Sequence, residues 1–294
     1  MPVVAVINRK GGSGKSTLAT HLAAYCANAG MPVMLGDVDQ QQSTQTWLRR
    51  RGTQPLAQGP AIVGWAVDPR NVLRAPVGIT HVVLDTPGGL RGFDLARLAM
   101  FADAILMPVC NSAFDRESTA DCYAELMTLP RIASGRCKVA GVGMRLDSRT
   151  SAADVLTKWA ERLRLPFIGA LRETQAYVKC VERGLTLFDL PAAQAQADMD
   201  QWKPILQWLA PVLHGAQAGA DADKRPTRPA SLGSRHASGV KPTQRASVDG
   251  SPPAPQRTAA PPVANEPIAR PSMATRLGLF LGLLPKRGLS QGNR

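Results

Sequence analysis

The nine residues Arg9-Lys10-Gly11-Gly12-Ser13-Gly14-Lys15-Ser16-Thr17 constrain this chain more than any other stretch. A β-branched apolar run over residues 3–7 leads into them, and an alanine-rich stretch of helical period, residues 16–29, leads out. In that setting the glycines let the backbone wrap an anion with its N–H groups, and the start of the helix faces the same negative charge. A strand, loop and helix of this kind form a phosphate cradle. Lys15 is placed to reach the β- and γ-phosphates of a nucleotide, and the Ser16 hydroxyl to sit on Mg²⁺. The loop departs from the ordinary pattern at one point. Where glycine usually stands five residues before Gly14, this chain has Arg9, and a second lysine, Lys10, follows it. One triphosphate held by one chain does not need two loop lysines.

Up to about Ala210, short β-branched runs alternate with segments of helical period, the pattern of βαβ units around a parallel sheet. Strands are expected at residues 3–7, 33–36, 81–84, 104–108, 139–143 and 167–170. Helices are expected to begin near Ser16, Ser43, Pro69, Phe93, Arg116, Ala152, Thr174 and Ala192. The strand runs are continuously apolar rather than alternating, as a sheet covered on both faces requires. The expected class is α/β, a mostly parallel twisted sheet with helices on both faces.

Lys10-Gly11-Gly12-Ser13-Gly14-Lys15-Ser16-Thr17 resembles the deviant Walker A loop of the ParA/MinD ATPases, a branch of the P-loop NTPases. Further stretches carry the same resemblance. Asp37-Val38-Asp39-Gln40-Gln41 is similar to the family's D-x-D-P-Q segment, with Gln40 in place of the usual proline. Val82-Val83-Leu84-Asp85-Thr86-Pro87-Gly88-Gly89 resembles its Walker B strand and switch. Residues 108–115, from Pro108 to Asp115, resemble its P-x-x-x-S-x-x-D stretch, and Met144-Arg145-Leu146-Asp147-Ser148-Arg149-Thr150 its T-M-x-D-x-R-T stretch. The chain starts at the first strand, so the resemblance is to the short ParA class without an amino-terminal DNA-reading domain.

The resemblance implies an ATP hydrolase of weak intrinsic activity using ATP and Mg²⁺, with each role carried by a matching position. Gly11, Gly12, Ser13, Gly14, Lys15, Ser16 and Thr17 would cradle the nucleotide, Thr17 on the α-phosphate. Ser16, Asp37 and Asp85 would form the metal side, Asp85 through a bound water. Asp39 would orient the attacking water, and Gly88 and Gly89 would let the switch approach the γ-phosphate. Lys10 would cross a sandwich homodimer to the partner's ATP. Asp37 has an alternative reading as a cap or loop carboxylate, and Arg9 has no assigned role.

The resemblance further implies non-specific DNA binding and a ParB-like or cargo-adaptor protein that stimulates hydrolysis, in plasmid or chromosome segregation. Alternatives are a membrane-recruited regulator of MinD type, or a positioner of a non-DNA cargo, a conjugation complex or polysaccharide machinery. For DNA, Arg172, Lys179 and Arg183 are expected roughly along one helical face, with Arg162 and Arg164 nearby, binding phosphates by counterion release. With Glu173 and Glu182 interspersed, the same face also reads as an ordinary solvated one.

Composition changes beyond His214. Residues 215–275 contain no Phe, Trp or Tyr and are rich in Pro, Ala, Ser and Gly, a composition that cannot bury enough apolar surface to offset ordering entropy. Residues 214–294 carry twelve Lys and Arg against four Asp and Glu, a net +8 of the chain's +13. A basic tail of this kind suits a polyanion, DNA or an anionic membrane face. The expected organisation is an ATPase domain over 1–212, a disordered basic tail over 213–275, and a short apolar and basic segment over 276–287. In that last segment Leu277 to Leu284 lie beside Arg276, Lys286 and Arg287, which fits a weak membrane anchor, a peptide docking in a partner's groove, or a frayed end. Five cysteines and four histidines show no metal-ligand spacing, and Cys110 and Cys137 lack the glycine-flanked setting of a bridging cluster. With neither a leader nor a spanning run, the expected location is cytoplasmic and nucleoid-associated, with peripheral membrane contact through the terminal segment as the alternative.

Overall fold

The structure is a computed structural model and describes residues 1–55, 61–66 and 75–222. Its strands are β1 (Val3–Val6), β2 (Val33–Asp37), β3 (Val63–Ala66), β4 (His81–Asp85), β5 (Ala104–Val109), β6 (Lys138–Leu146) and β7 (Phe167–Arg172). They form one sheet in the order β3-β2-β4-β1-β5-β6-β7, and every pairing is parallel. The helices are α1 (Lys15–Asn28), α2 (Ser43–Arg51), α3 (Gly92–Phe101), α4 (Ala113–Met127), α5 (Pro130–Ala133), α6 (Ala152–Leu163), α7 (Gln175–Glu182) and α8 (Ala192–Ala222).

Successive strand residues feed two separate cores. Val4, Val6, Leu35, Val83 and Leu106 join one apolar cluster with residues of α1, α2, α7 and α8. Val3, Ala5, Ile7, Met34, Leu84, Ile105 and Met107 join a second with residues of α3, α4, α5 and α6. Both faces are therefore buried, and the expected α/β sandwich with continuously apolar strands is the observed one.

The six expected strands are present, each extended or trimmed by a few residues. The seventh, β3, was not expected. It is only four residues long, contains Gly64, and is specified by its pairing with β2 at the sheet edge rather than by its own pattern. α4 starts three residues before Arg116 because the Ser112 hydroxyl accepts a hydrogen bond from Asp115 N at 3.1 Å. Thr174 caps α7 in the same way, accepting from Ala176 N at 3.2 Å. The helix expected near Pro69 lies outside the described residues. α8 continues past residue 212 to Ala222, and the rest of the expected tail and terminal segment also lies outside them. Among the described residues no helix is long and apolar enough to cross a membrane.

From β1 the chain moves outward to β2 and β3, returns as β4 beside β1, and then runs out through β5, β6 and β7. The strand order thus reverses about β1, and the carboxyl end of β1 opens onto the crevice where ligands of such sheets bind.

Candidate nucleotide-binding site

Residues 9–14 leave the carboxyl end of β1 and enter α1 at Lys15. Gly14 takes the helix N-cap position with φ +96°, a left-handed conformation that calls for glycine, and a Cβ there would also lie 2.7 Å from the Met144 methyl, which would have to move. α1 has no side-chain cap and no acidic residue in its first turn. Its first amides and the positive end of its dipole therefore remain available to an anion. Buried Asn8 fixes the start of the loop. Its amide donates to Pro108 O (2.6 Å) and Thr119 Oγ1 (2.8 Å), while its Oδ1 accepts from Lys10 N at 3.0 Å.

The two lysines experience opposite surroundings. Lys15 is only 7 % exposed, and its Nζ donates to Lys10 O at 3.1 Å. Burial lowers its pKa, and the neighbouring Asp85 and Asp39 partly restore it. Lys10, on its anchored backbone, is exposed.

Asp85 ends β4 with no exposed surface, and neither carboxylate oxygen makes a hydrogen bond of ordinary geometry. Burial pushes its pKa up to about 7; the Ser16 hydroxyl pulls it back, and Asp37 adds to the rise. A buried carboxylate without a partner beside a hydroxyl is a donor set of oxygens suited to Mg²⁺ and its water shell, so the residues fit that ion.

The expected metal role of Asp37 meets a different arrangement. Its Oδ2 accepts from Thr44 N (3.0 Å), Thr44 Oγ1 (2.6 Å) and Gln45 N (3.3 Å), and its Oδ1 from Asp39 N (3.1 Å). That carboxylate caps the first turn of α2 and shapes the turn after β2. Asp39 is half-buried, lines the cleft, and accepts from Gln41 N at 3.0 Å.

A cleft of about 650 Å³ brings together Lys15, Ser16 and Asp39. One side is Gly11, Gly12, Gly14, Lys15, Ser16, Thr17, Asp39 and Gly88; the other is Met144, Leu171, Tyr177 and Val178 on β6, β7 and α7. The switch lies against the loop. Gly89 N donates to Arg9 O at 2.8 Å, and a Cβ on Gly88 would come within 3.3 Å of the same oxygen. Arg145, in the left-handed region at φ +53°, reaches across to donate to Gly12 O. Asn8, Leu171 and Tyr177 were not singled out from sequence, and Met144 was quoted only within the 144–150 stretch, with no site role. Only Asn8 had a usable signal, a polar residue between an apolar strand and the loop.

The expected basic face is divided. Arg172 belongs to β7, not to the helix, and its Nε donates to the buried Asp198 carboxylate at 2.5 Å. Lys179 is exposed on α7 and Arg183 is exposed at its C-cap. Arg172 therefore does not share a helical face with the other two. The Gly184 backbone, next to Arg183, packs so closely on α2 that a Cβ there would lie 2.3 Å from Arg51 N, and α2 carries the exposed Arg49 and Arg50.

A central parallel sheet, a glycine loop feeding an uncapped helix, a buried lysine and an orphaned carboxylate define a P-loop nucleotide-binding protein. Residues 4–187 match the CobQ/CobB/MinD/ParA nucleotide binding domain, and the chain belongs to that family. It is 28 % identical over 210 residues to maintenance of carboxysome distribution protein A of Halothiobacillus neapolitanus, covering 71 % of this chain and 96 % of that protein. It is 31 % identical over 180 residues to the chromosome-partitioning ATPase Soj of Thermus thermophilus, covering 51 % and 72 % respectively. Among solved structures, the septum site-determining protein MinD of Pyrococcus horikoshii, complexed with Mg-ADP, superposes with a TM-score of 0.53 at 13 % identity. That match covers 76 % of this chain and 99 % of the MinD chain, and supports the fold.

Proposed function

We propose that the protein is an ATP hydrolase whose ATP-bound form is a sandwich dimer that binds DNA without regard to sequence and positions a cargo. The observation that carries this reading is the contrast within one loop: Lys15 is buried between Asp85 and Asp39, whereas Lys10 faces solvent. A single site uses the first lysine; the second is presented outward, where a second copy can meet it. Lys15 and the amides of Gly11 to Thr17 hold the phosphates, and the apolar wall of Met144, Leu171 and Tyr177 is suited to a base. Ser16 and Asp85 would hold Mg²⁺, which when bound neutralises the developing phosphate charge. Asp39 orients the attacking water, and the intrinsic rate is slow until a partner stimulates it.

For DNA the surface would be Lys179 and Arg183 with Arg49 and Arg50, all exposed, rather than the expected Arg172, which is paired with Asp198. A ParB-like or cargo-adaptor protein would stimulate hydrolysis in the cytoplasm, on the nucleoid. The cargo would be a chromosome or plasmid complex or a carboxysome-like body; the relatives' names support a chromosome or a carboxysome. ATP-dependent affinity for random-sequence DNA should fall by orders of magnitude between about 50 and 200 mM salt. The double reversal Lys179→Glu with Arg183→Glu should weaken it on all sequences alike, and salt-independent binding would remove this surface from the reading. The membrane alternative rests on Leu277 to Leu284. Flotation of full-length protein with anionic liposomes, lost on deleting residues 273–294, would favour it over DNA.

A further inference from the structure

Arg9, which stands where the ordinary loop has glycine, is tied into the switch. Its side chain is 10 % exposed and forms an ion pair with Glu125 of α4, itself 30 % exposed. Its Nε donates to Leu90 O at 3.2 Å, and its own carbonyl accepts from Gly89 N at 2.8 Å. The second oxygen of Glu125 accepts from Gly92 N, the first residue of α3, at 2.5 Å. The switch segment 88–92 is thus held at Gly89, Leu90 and Gly92, and each contact ends on Arg9 or Glu125. Gly89 and Gly92 have φ +83° and +54°, so the segment between them is built on glycine conformations with little intrinsic preference of their own. Gly88, at its start, lines the same cleft as Lys15 and Asp39.

We propose that Arg9 and Glu125 form a latch that sets the position of the switch against the phosphate loop, and so act as positioning residues for hydrolysis. This rests on the ATPase reading above. The ion pair is charge-assisted and mostly withdrawn from water, so releasing it frees Leu90 O and Gly92 N together. Neither residue touches the cleft; their effect on the reaction passes through Gly88 and Gly89. Substrate affinity, which depends on Lys15 and the loop amides, is left largely intact, and the rate of the chemical step is what the latch controls.

Hydrogen exchange on the full chain, read together with ATPase kinetics, tests this for Arg9→Ala, Glu125→Gln, the double variant and Arg9→Lys. Loss of one charge-assisted bond should raise exchange of the 88–92 amides about tenfold in either single variant, with no further rise in the double. Peptides from α1 and α8 should keep wild-type exchange. kcat should drop while KM for ATP stays within about twofold, and Arg9→Lys, which keeps the ion pair, should recover most of the protection. Unchanged exchange in both single variants, or effects that add in the double, would overturn the latch. Faster exchange with unchanged kcat would overturn its positioning role. A wild-type protein that hydrolyses no ATP sinks the ATPase reading, while the exchange result still decides whether the latch exists.

Discussion

Replacing Asp37 with alanine separates a structural carboxylate from a metal ligand. The substitution leaves Thr44 N, Thr44 Oγ1, Gln45 N and Asp39 N without their acceptor, and Thr44 is fully buried, so water cannot replace it there. Loss of a helix cap costs about 1 kcal/mol. Stranding a buried donor that was bonded to a charge costs about 1–3 kcal/mol more. The expected destabilisation is about 3 kcal/mol, which for a domain of this size is a fall of roughly 6–12 °C in melting temperature. Removing Asp37 also removes a negative neighbour that raises the pKa of Asp85, so the Asp85 carboxylate should ionise more readily. Affinity for Mg²⁺ and nucleotide, measured by titration calorimetry well below the melting point, should stay within a few-fold of wild type. A melting temperature within about 2 °C of wild type, with metal-dependent binding abolished, would refute the capping account and return Asp37 to the metal side.

Two further perturbations probe the packing behind the site. Burial depresses the pKa of His21 from 6.5 to about 4, and its Nε2 has no hydrogen-bond partner. The unfolded chain takes up the proton first as pH falls, so stability is complete above about 6.5 and declines by about 3 kcal/mol down to about pH 4. Denaturant titrations across that window should show His21→Phe losing less than wild type; parallel curves would mean that the ring protonates inside the fold. Gly184→Ala should cost about 3 kcal/mol or more, since φ is +72° and its Cβ would lie 2.3 Å from Arg51 N. Gly30→Ala, at φ +76° with open space around it, should cost only about 1–2 kcal/mol. Equal melting temperatures for the two would deny the close approach of α7 to α2.

The sheet was legible because its strands, buried on both faces, print as unbroken apolar runs such as 3–7 and 104–108. The phosphate loop was legible because glycines, a lysine and a hydroxyl must follow one another in chain order. What sequence hid is what depends on distant residues. β3 exists because β2 offers it a partner, and Arg172 is neutralised by Asp198, 26 positions away. For Asp37 the sequence left a metal role and a capping role both open. Only the fold turns it toward the amides of α2 and leaves Asp39 facing the cleft. Arg9 was recognisable as an anomaly, but its meaning required Glu125 from a helix more than a hundred residues later.

The division of labour between the two loop lysines is the centre of this account, and one paired measurement addresses it. Titration calorimetry with ATP and Mg²⁺, alongside the ATP-dependent mass from light scattering, is to be run on Lys15→Ala and Lys10→Ala. Lys15→Ala should lose ATP binding, because that lysine is buried in the cleft beside Asp85 and Asp39. Lys10→Ala should bind ATP measurably and remain monomeric, because its side chain is exposed and does not line the cleft. Equal loss of binding in the two variants, or a Lys10→Ala protein that dimerises with ATP like wild type, would contradict the account.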